Sequence, residues 1–336
     1  MHAVITAFPD QVRDAIAIGR NAPLKLSIRG VHQIVLSGMG GSAIGGDLLR
    51  TYLNDTLTVP LSVNRQYRLP ASVDHSSLVI VSSYSGNTEE TLSAYRDAVK
   101  KKARILCITS GGEVERRAVR RRDPFIKIPR GYAPRAALGY SFFPLLLALT
   151  RLGFVGSRAT EINETLRVLD TRSAIFSDPS HSENKPFAVA RRLHGSLPII
   201  YAGGDRLEAV VVRWRGQISE NAKQLAYGNV FPEMNHNELV GWQELPELLR
   251  KAAVVFLRDR GVHARNQRRE ELTKQLVGER TQNTMEVWSE GKSLLARLFS
   301  LVYFGDWVSF YLAILNGVDP EPVRAIDLLK SELGKL

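Results

Sequence analysis

Ser77–Thr88 reads SLVIVSSYSGNT, an unbroken apolar run closed by a cluster of hydroxyls around one glycine. Leu78–Val81 has the composition of a strand buried on both faces. Thr88–Lys100 follows as a helix, with Leu92 and Tyr95–Val99 patterned inward. A buried strand that passes through a short polar turn into a helix is half of a βαβ unit, so the sheet is expected to be parallel. Ligands of such sheets bind at the C-terminal strand edge. Ser82, Ser83, Ser85, Asn87 and Thr88 place several donors there, and Gly86 lets the backbone turn. A Ser or Thr at a helix start also serves as an N-cap, but a cap accounts for one residue and not for the cluster. A phosphate dianion accepts several donors and is favoured by a helix N-terminus. The turn has no Lys, which a nucleotide-triphosphate loop would supply. Its expected ligand is a phosphate of another kind.

The same rhythm extends in both directions. Pro9–Gly19 reads as a helix, His32–Ser37 as a strand, Ser42–Leu53 as a helix and Leu61–Asn64 as a short strand. Beyond the turn come strands at Arg104–Thr109 and Pro124–Ile128, then an apolar helix over Leu138–Leu152. The pattern resumes with strand Leu197–Tyr201, a glycine turn Ala202–Asp205, helix Leu207–Ala226 and strand Ala252–Leu257. Glu270–Leu276 and Thr284–Asn316 read as helical, and Pro322–Leu336 as a last amphipathic helix with Val323, Ile326, Leu329 and Leu333 on one face. VHQIVLSGMGGSAIGGDLLR and SLPIIYAGGDRLEAVVVRWR thus look like one unit used twice. The expected organisation is a first doubly wound domain over 1–153, a connecting segment over 154–178, a second such domain over 179–320 and a C-terminal helix over 321–336.

The chain has 336 residues, 44% of them hydrophobic, enough for two cores. One cysteine, Cys107, excludes an internal disulfide framework and a multi-cysteine metal site, and fits a reducing cytoplasm. The N-terminus lacks the pattern of a secretory signal. Leu298–Leu315 is long enough to cross a membrane but carries Asp306 near its centre. A central Asp costs about 2.5–3.5 kcal/mol on insertion scales, so a buried helix, with no membrane involved, is expected. The net charge is +11, and its densest run is Arg116, Arg117, Arg120, Arg121 and Arg122. Without interleaved aromatics or a recognised DNA-binding pattern, that run reads as a solvated helix face and no nucleic-acid partner is expected.

Gly38–Ala43 (GMGGSA) satisfies the dinucleotide fingerprint G-x-G-x-x-A. That fold also needs an acidic residue after the next strand, and Asp55 comes before it. The turn still lets backbone N–H groups at Gly41 and the Ser42 hydroxyl approach an anion. The loop alone does not separate an anion site from a tight turn without a ligand.

Taken in order, GMGGSAIGGD, SYSGNTEET, PRAALGY and PEMNHNE resemble the bifunctional phosphoglucose/phosphomannose isomerase family, built from sugar isomerase (SIS) domains. The resemblance spans nearly the whole chain. It implies an α/β fold of two SIS-type doubly wound domains, each a parallel sheet flanked by helices, and one active site shared at their interface in a homodimer. It implies a metal-independent aldose–ketose isomerase with no cofactor, acting on hexose 6-phosphates through an enediolate. Such a reaction needs a carboxylate base, a cation near the enediolate and a ring-opening acid/base.

The family's roles fall on residues whose spacing alone favours blander readings. Arg135 by itself is a surface Arg at a helix start, the wrong end of the dipole for a cation; the resemblance makes it the enediolate-stabilising group. Glu220 by itself pairs with Lys223 at i,i+3; in ISENAK it matches the family's base, a role that favours a pKa raised toward neutrality. His236 by itself is a loop His beside Asn237 as a helix cap; in NHNE it matches the ring-opening group, acting from its own or a neighbouring subunit. Lys330 by itself pairs with Asp327; the resemblance gives it contact with substrate oxygens. Gly41, Ser42, Ser83, Ser85 and Thr88 are the phosphate-binding set. Many relatives carry a Thr just ahead of the last helix, where this chain has Glu321 and Val323, which bears on acceptance of the mannose epimer. The rival expectations are a SIS-fold sensor that binds a sugar phosphate without turnover, and an isomerase or lyase of amino-sugar phosphates.

Overall fold

The computed structural model describes residues 1–335. The elements run α1 (His2–Thr6), α2 (Phe8–Asn21), β1 (Gln33–Ser37), α3 (Gly40–Leu53), β2 (Leu61–Asn64), β3 (Ser77–Ser83), α4 (Glu89–Lys100), β4 (Arg104–Thr109), α5 (Gly112–Arg121), β5 (Phe125–Lys127), α6 (Leu138–Arg151) and α7 (Ala159–Phe176). They continue with α8 (Lys185–Leu193), β6 (Leu197–Gly203), α9 (Gly204–Ala222), β7 (Tyr227–Phe231), α10 (Pro246–Leu249), β8 (Ala252–Arg258), α11 (Ala264–Gly278), β9 (Thr284–Trp288), α12 (Leu294–Leu315) and α13 (Arg324–Leu333).

The chain forms two compact units. One comprises Ala7–Asp170 with Ser293–Ala296, and the other Met1–Thr6, Thr171–Lys292 and the chain from Arg297. The N-terminal six residues therefore go with the second unit. The stretch 154–178, read as a connection because Gly153 and Gly156 break the apolar pattern, contains the whole of α7, which buries Ile162, Leu169 and Phe176.

In the first unit the strands pair in parallel in the order β2-β1-β3-β4-β5. Every residue of β3 is buried. One face packs Val35, Val79, Val81 and Cys107 against Ala94, Tyr95 and Ala98 of α4 and Val114 and Ala118 of α5. Burial also pushes the Cys107 thiol up to about 12, which keeps it an inert core group. The arginine run forms α5, with Val114 and Ala118 inward and its guanidinium groups on the other face, as its pattern predicts. Arg116 and Arg117 both pair with Glu113. On the other side α2 lies along α6, and Arg151 Nη1 caps the end of α2 by donating to Gly19 O (3.0 Å) and Ala22 O (2.7 Å).

In the second unit the parallel order is β7-β6-β8-β9. Thr284–Trp288, expected as the start of a helix, is a strand. TMEVW buries Met285 and Val287 and turns Glu286 and Trp288 outward, a period of two that overrides the helical reading of the longer stretch. The expected glycine turn at Ala202–Asp205 has no length of its own, since β6 runs to Gly203 and α9 starts at Gly204. Helix α9 buries Leu207, Val211, Trp214 and Ile218, each burial contributing about 1.5–3 kcal/mol. It ends four residues before the predicted Ala226, where Lys223 takes a left-handed conformation (φ 56°) and releases the chain into β7, a strand whose Gly228 and Asn229 concealed it. Leu225, inside the predicted helix but beyond the observed one, is exposed.

Helix α12 is the one described helix long and apolar enough to cross a membrane, and 89% of its most apolar window is buried inside the protein. Trp214 stacks on Phe304, and Asp306 accepts from Arg213 Nε (3.1 Å) and Nη2 (2.7 Å) and from Gln217 (2.9 Å). The residue that argued against insertion is thus a fully paired buried carboxylate. The C-terminal helix starts at Arg324, later than read, and its apolar face is exposed at Ile326, Leu329 and Leu333. Leu336, included in the predicted helix, lies outside the described residues.

Candidate active site

In the first unit, the predicted phosphate residues converge at the C-terminal edge of the sheet. Ser83 ends β3 and Thr88 stands at the N-cap position of α4, yet the Thr88 hydroxyl makes no capping bond. Its Oγ1 lies 3.0 Å from Ser83 Oγ instead. Ser83 Oγ also accepts from Gly86 N (3.1 Å), Ser85 Oγ from Asn87 N (3.2 Å) and Ser42 Oγ from Tyr84 N (3.2 Å). A hydroxyl that accepts a backbone N–H keeps its own proton for donation. Ser42 and Ser85 each retain one, and the Ser83–Thr88 pair retains one between them. The turn therefore presents several hydroxyl donors whose accepting sides are already occupied.

Two glycines make this geometry possible. Gly86 has φ +71°, and a Cβ there would lie 1.7 Å from Gly111 O, so the turn packs backbone to backbone on the β4–α5 loop. At Gly41 a Cβ would lie 2.3 Å from Pro134 O. The glycine loop therefore seats a 3₁₀ turn, Pro134–Ala136, that carries Arg135. Gln11 ties this turn down, donating to Ala136 O (2.9 Å) and accepting from Gly139 N (2.9 Å). Arg135 was read in the first turn of the following helix. It stands in the 3₁₀ turn ahead of α6 and is only 5% exposed, so it is not the surface Arg that its sequence position suggests. The residue after β2, where a dinucleotide fold needs an acid, is Arg65, paired with Asp47 of α3. The fingerprint here serves packing and not a dinucleotide.

In the second unit the equivalent turn is closed. A Cβ at Gly203 would lie 2.6 Å from Val262. Asp205 occupies the start of α9 and accepts from His263 N (3.0 Å) and Asn266 Nδ2 (3.3 Å). A carboxylate already sits where an anion would bind, so the two repeats do not share the phosphate chemistry.

Glu220 is half-buried near the end of α9 and lines a cavity of about 520 Å³ with Lys223, Val323, Arg324 and Ile326. Lys223 Nζ donates to the Glu220 carbonyl oxygen (2.5 Å) and to Pro320 O (3.4 Å), joining the end of α9 to the segment that leads into α13. Lys223 and Arg324 were not singled out as site residues. Their signal was their position, Lys223 beside Glu220, where spacing alone made it a surface pair, and Arg324 at the start of the last helix. His236 ends a 3₁₀ turn, Glu233–His236, after β7 and is exposed. Lys330 is exposed on α13 and does not line this cavity. Among the described residues no group of three or more His, Cys, Asp or Glu side chains is placed to hold a metal ion.

Residues 182–333 match the bacterial phospho-glucose isomerase C-terminal SIS domain, and residues 27–123 match the SIS domain. A bifunctional phosphoglucose/phosphomannose isomerase of Caldicellulosiruptor bescii is 45% identical over 98% of this chain and 97% of its own length. Another of that name, from Aquifex aeolicus, is 37% identical over 90% of each chain. In fold, the chain resembles the C-terminal domain of glucosamine-fructose-6-phosphate aminotransferase from Francisella tularensis, with TM-score 0.72, 16% identity and coverage of 95% of this chain and 97% of that one.

Proposed function

This chain belongs to the bifunctional phosphoglucose/phosphomannose isomerase family, and we propose on that footing that it interconverts glucose 6-phosphate and fructose 6-phosphate, with mannose 6-phosphate as a second aldose. The observation that carries this is the 45% identity over nearly the full length of both chains. The donor set at Ser42, Ser83, Ser85 and Thr88 supports assigning the 6-phosphate to the first sheet edge.

Glu220 takes the proton from C2 of the open aldose and returns it to C1. The electron pair moves onto the carbonyl oxygen as the enediolate forms, and Arg135 is assigned the stabilisation of that charge. Ring opening is assigned to His236, with Lys330 on the substrate oxygens. The cavity around Glu220 supports its role, since a base must reach solvent-delivered substrate. We place the protein in a reducing cytoplasm, supported by the single buried thiol. We also take it to be a homodimer, supported by the apolar side chains that α13 leaves exposed.

A coupled assay of glucose 6-phosphate formation from fructose 6-phosphate tests the reading. Turnover that Glu220→Gln abolishes is the expected result. Binding of fructose 6-phosphate with no turnover by the wild type would overturn it.

A further inference from the structure

Asn235–Glu238 is a loop in which the side chains around His236 are tied down. Asn235 Nδ2 donates to Thr273 Oγ1 of α11 (2.9 Å). Asn237 Oδ1 accepts from Glu238 N (2.6 Å), and its Nδ2 donates to Glu233 Oε1 (3.1 Å). Glu238 is held most firmly. Its Oε1 accepts from Tyr201 Oη of β6, and its Oε2 accepts from Tyr227 Oη (3.0 Å) and Asn229 Nδ2 (2.6 Å) of β7. Tyr201 Oη in turn accepts from Trp242 Nε1 (3.1 Å) on the far side of the loop, and both rings are buried. The His236 side chain is exposed and makes no hydrogen bond or ion pair among the described residues.

Three donors on one carboxylate form charge-assisted bonds that bind the loop to two adjacent strands. Exposed loops without such ties sample many positions, and a misplacement of about 1 Å at a reacting group costs on the order of 10²-fold in rate. An imidazole with no partner of its own takes its location from the backbone that carries it. We propose that Glu238 is a positioning residue for ring opening, fixing the loop that presents His236. This rests on the assignment of ring opening to His236.

Ring opening has a readout separate from isomerisation. The C1–O5 bond breaks as O5 gains a proton and O1–H loses one, and reclosure returns either anomer with nothing else consumed. Anomer exchange of glucose 6-phosphate, followed by NMR exchange spectroscopy, therefore reports this step alone. Glu220→Gln is expected to stop isomerisation and keep anomer exchange. His236→Ala and Glu238→Ala are both expected to slow the exchange by about 10-fold or more, with KM for fructose 6-phosphate little changed. Glu238→Gln keeps one accepting oxygen and is expected to recover part of the rate. Should Glu238→Ala not fold, Tyr227→Phe combined with Asn229→Ala removes both donors on Oε2 and leaves the Tyr201–Trp242 pair in place. Wild-type exchange in that double variant or in Glu238→Ala, with His236→Ala slow, overturns the role of Glu238. Wild-type exchange in His236→Ala overturns the ring-opening assignment itself.

Discussion

Ser83 Oγ and Thr88 Oγ1 face each other at 3.0 Å across the β3–α4 turn, so two hydroxyls share one internal hydrogen bond and have one proton left to donate. Their contributions to binding are therefore coupled. Thr88→Val or Ser83→Ala alone leaves a hydroxyl that still donates, and a small rise in KM is expected. The double variant removes the donor, and KM is expected to rise about 10-fold or more, the size of a lost hydrogen bond to a charged group. A double-mutant cycle on KM checks this, and additive effects would contradict it.

Glu220→Gln keeps the shape of the side chain and removes its basicity. With Glu220 as the base, kcat is expected to fall by about 10²–10⁴-fold while KM stays within a few-fold. Loss of deuterium exchange at C2 of the aldose in the same variant would tie the fall to proton transfer.

Gly41→Ala sets a methyl carbon against the Pro134 carbonyl oxygen, 2.3 Å away before relaxation. Backbone on both sides must move, at a cost of about 1–3 kcal/mol. Because the displaced turn carries Arg135, kcat is expected to fall further than stability does. Gly156→Ala, with open space around the added carbon and no left-handed backbone, serves as the control for the loss of a glycine.

Asp306→Ala removes the carboxylate that the buried Arg213 guanidinium donates to, and a loss of about 3–5 kcal/mol is expected. Arg213→Met combined with Asp306→Leu removes both charges and is expected to recover most of it. Denaturant unfolding of the three variants checks the pair.

Glu270 of α11 is 1% exposed beside Arg258 (2.8 Å), and burial raises its carboxyl to about 7 even though Arg258 opposes the rise. A folded-state value above the unfolded one means that the native state binds the extra proton. This contribution is fully present below about 4.5 and is lost as pH rises toward 7. Glu270→Gln cannot ionise. The difference in Tm between the variant and the wild type is therefore expected to shift in favour of the variant between pH 5 and pH 8. A pH-independent difference would contradict the buried titration.

The residues that legibly set the fold were those whose pattern had one meaning. Leu78–Val81 and Ala252–Leu257 are too apolar and too short to be anything but central strands, and both are. Thr284–Trp288 was lost because its period of two abuts a long apolar helix, and a single apolar count merges them. Tyr227–Phe231 was lost because Gly and Asn are poor strand formers that pairing with β6 overrides. At the site, the hydroxyl cluster was readable since no cap needs so many donors. That Arg135 sits ahead of α6 was not readable, because the close approach at Gly41 that seats it joins segments far apart in sequence. The anchoring of Glu238 was hidden for the same reason, as its three donors come from two strands.

The pairing of Arg213 with Asp306 also has a direction in time. The ribosome makes the arginine first, and all nine strands of both sheets precede α12 in the chain. When the most apolar helix of the protein emerges, the α9 surface that receives it has already been synthesised. Its one acidic residue meets a waiting counter-charge, which shortens the interval in which a membrane-insertion machine or another nascent chain competes for it.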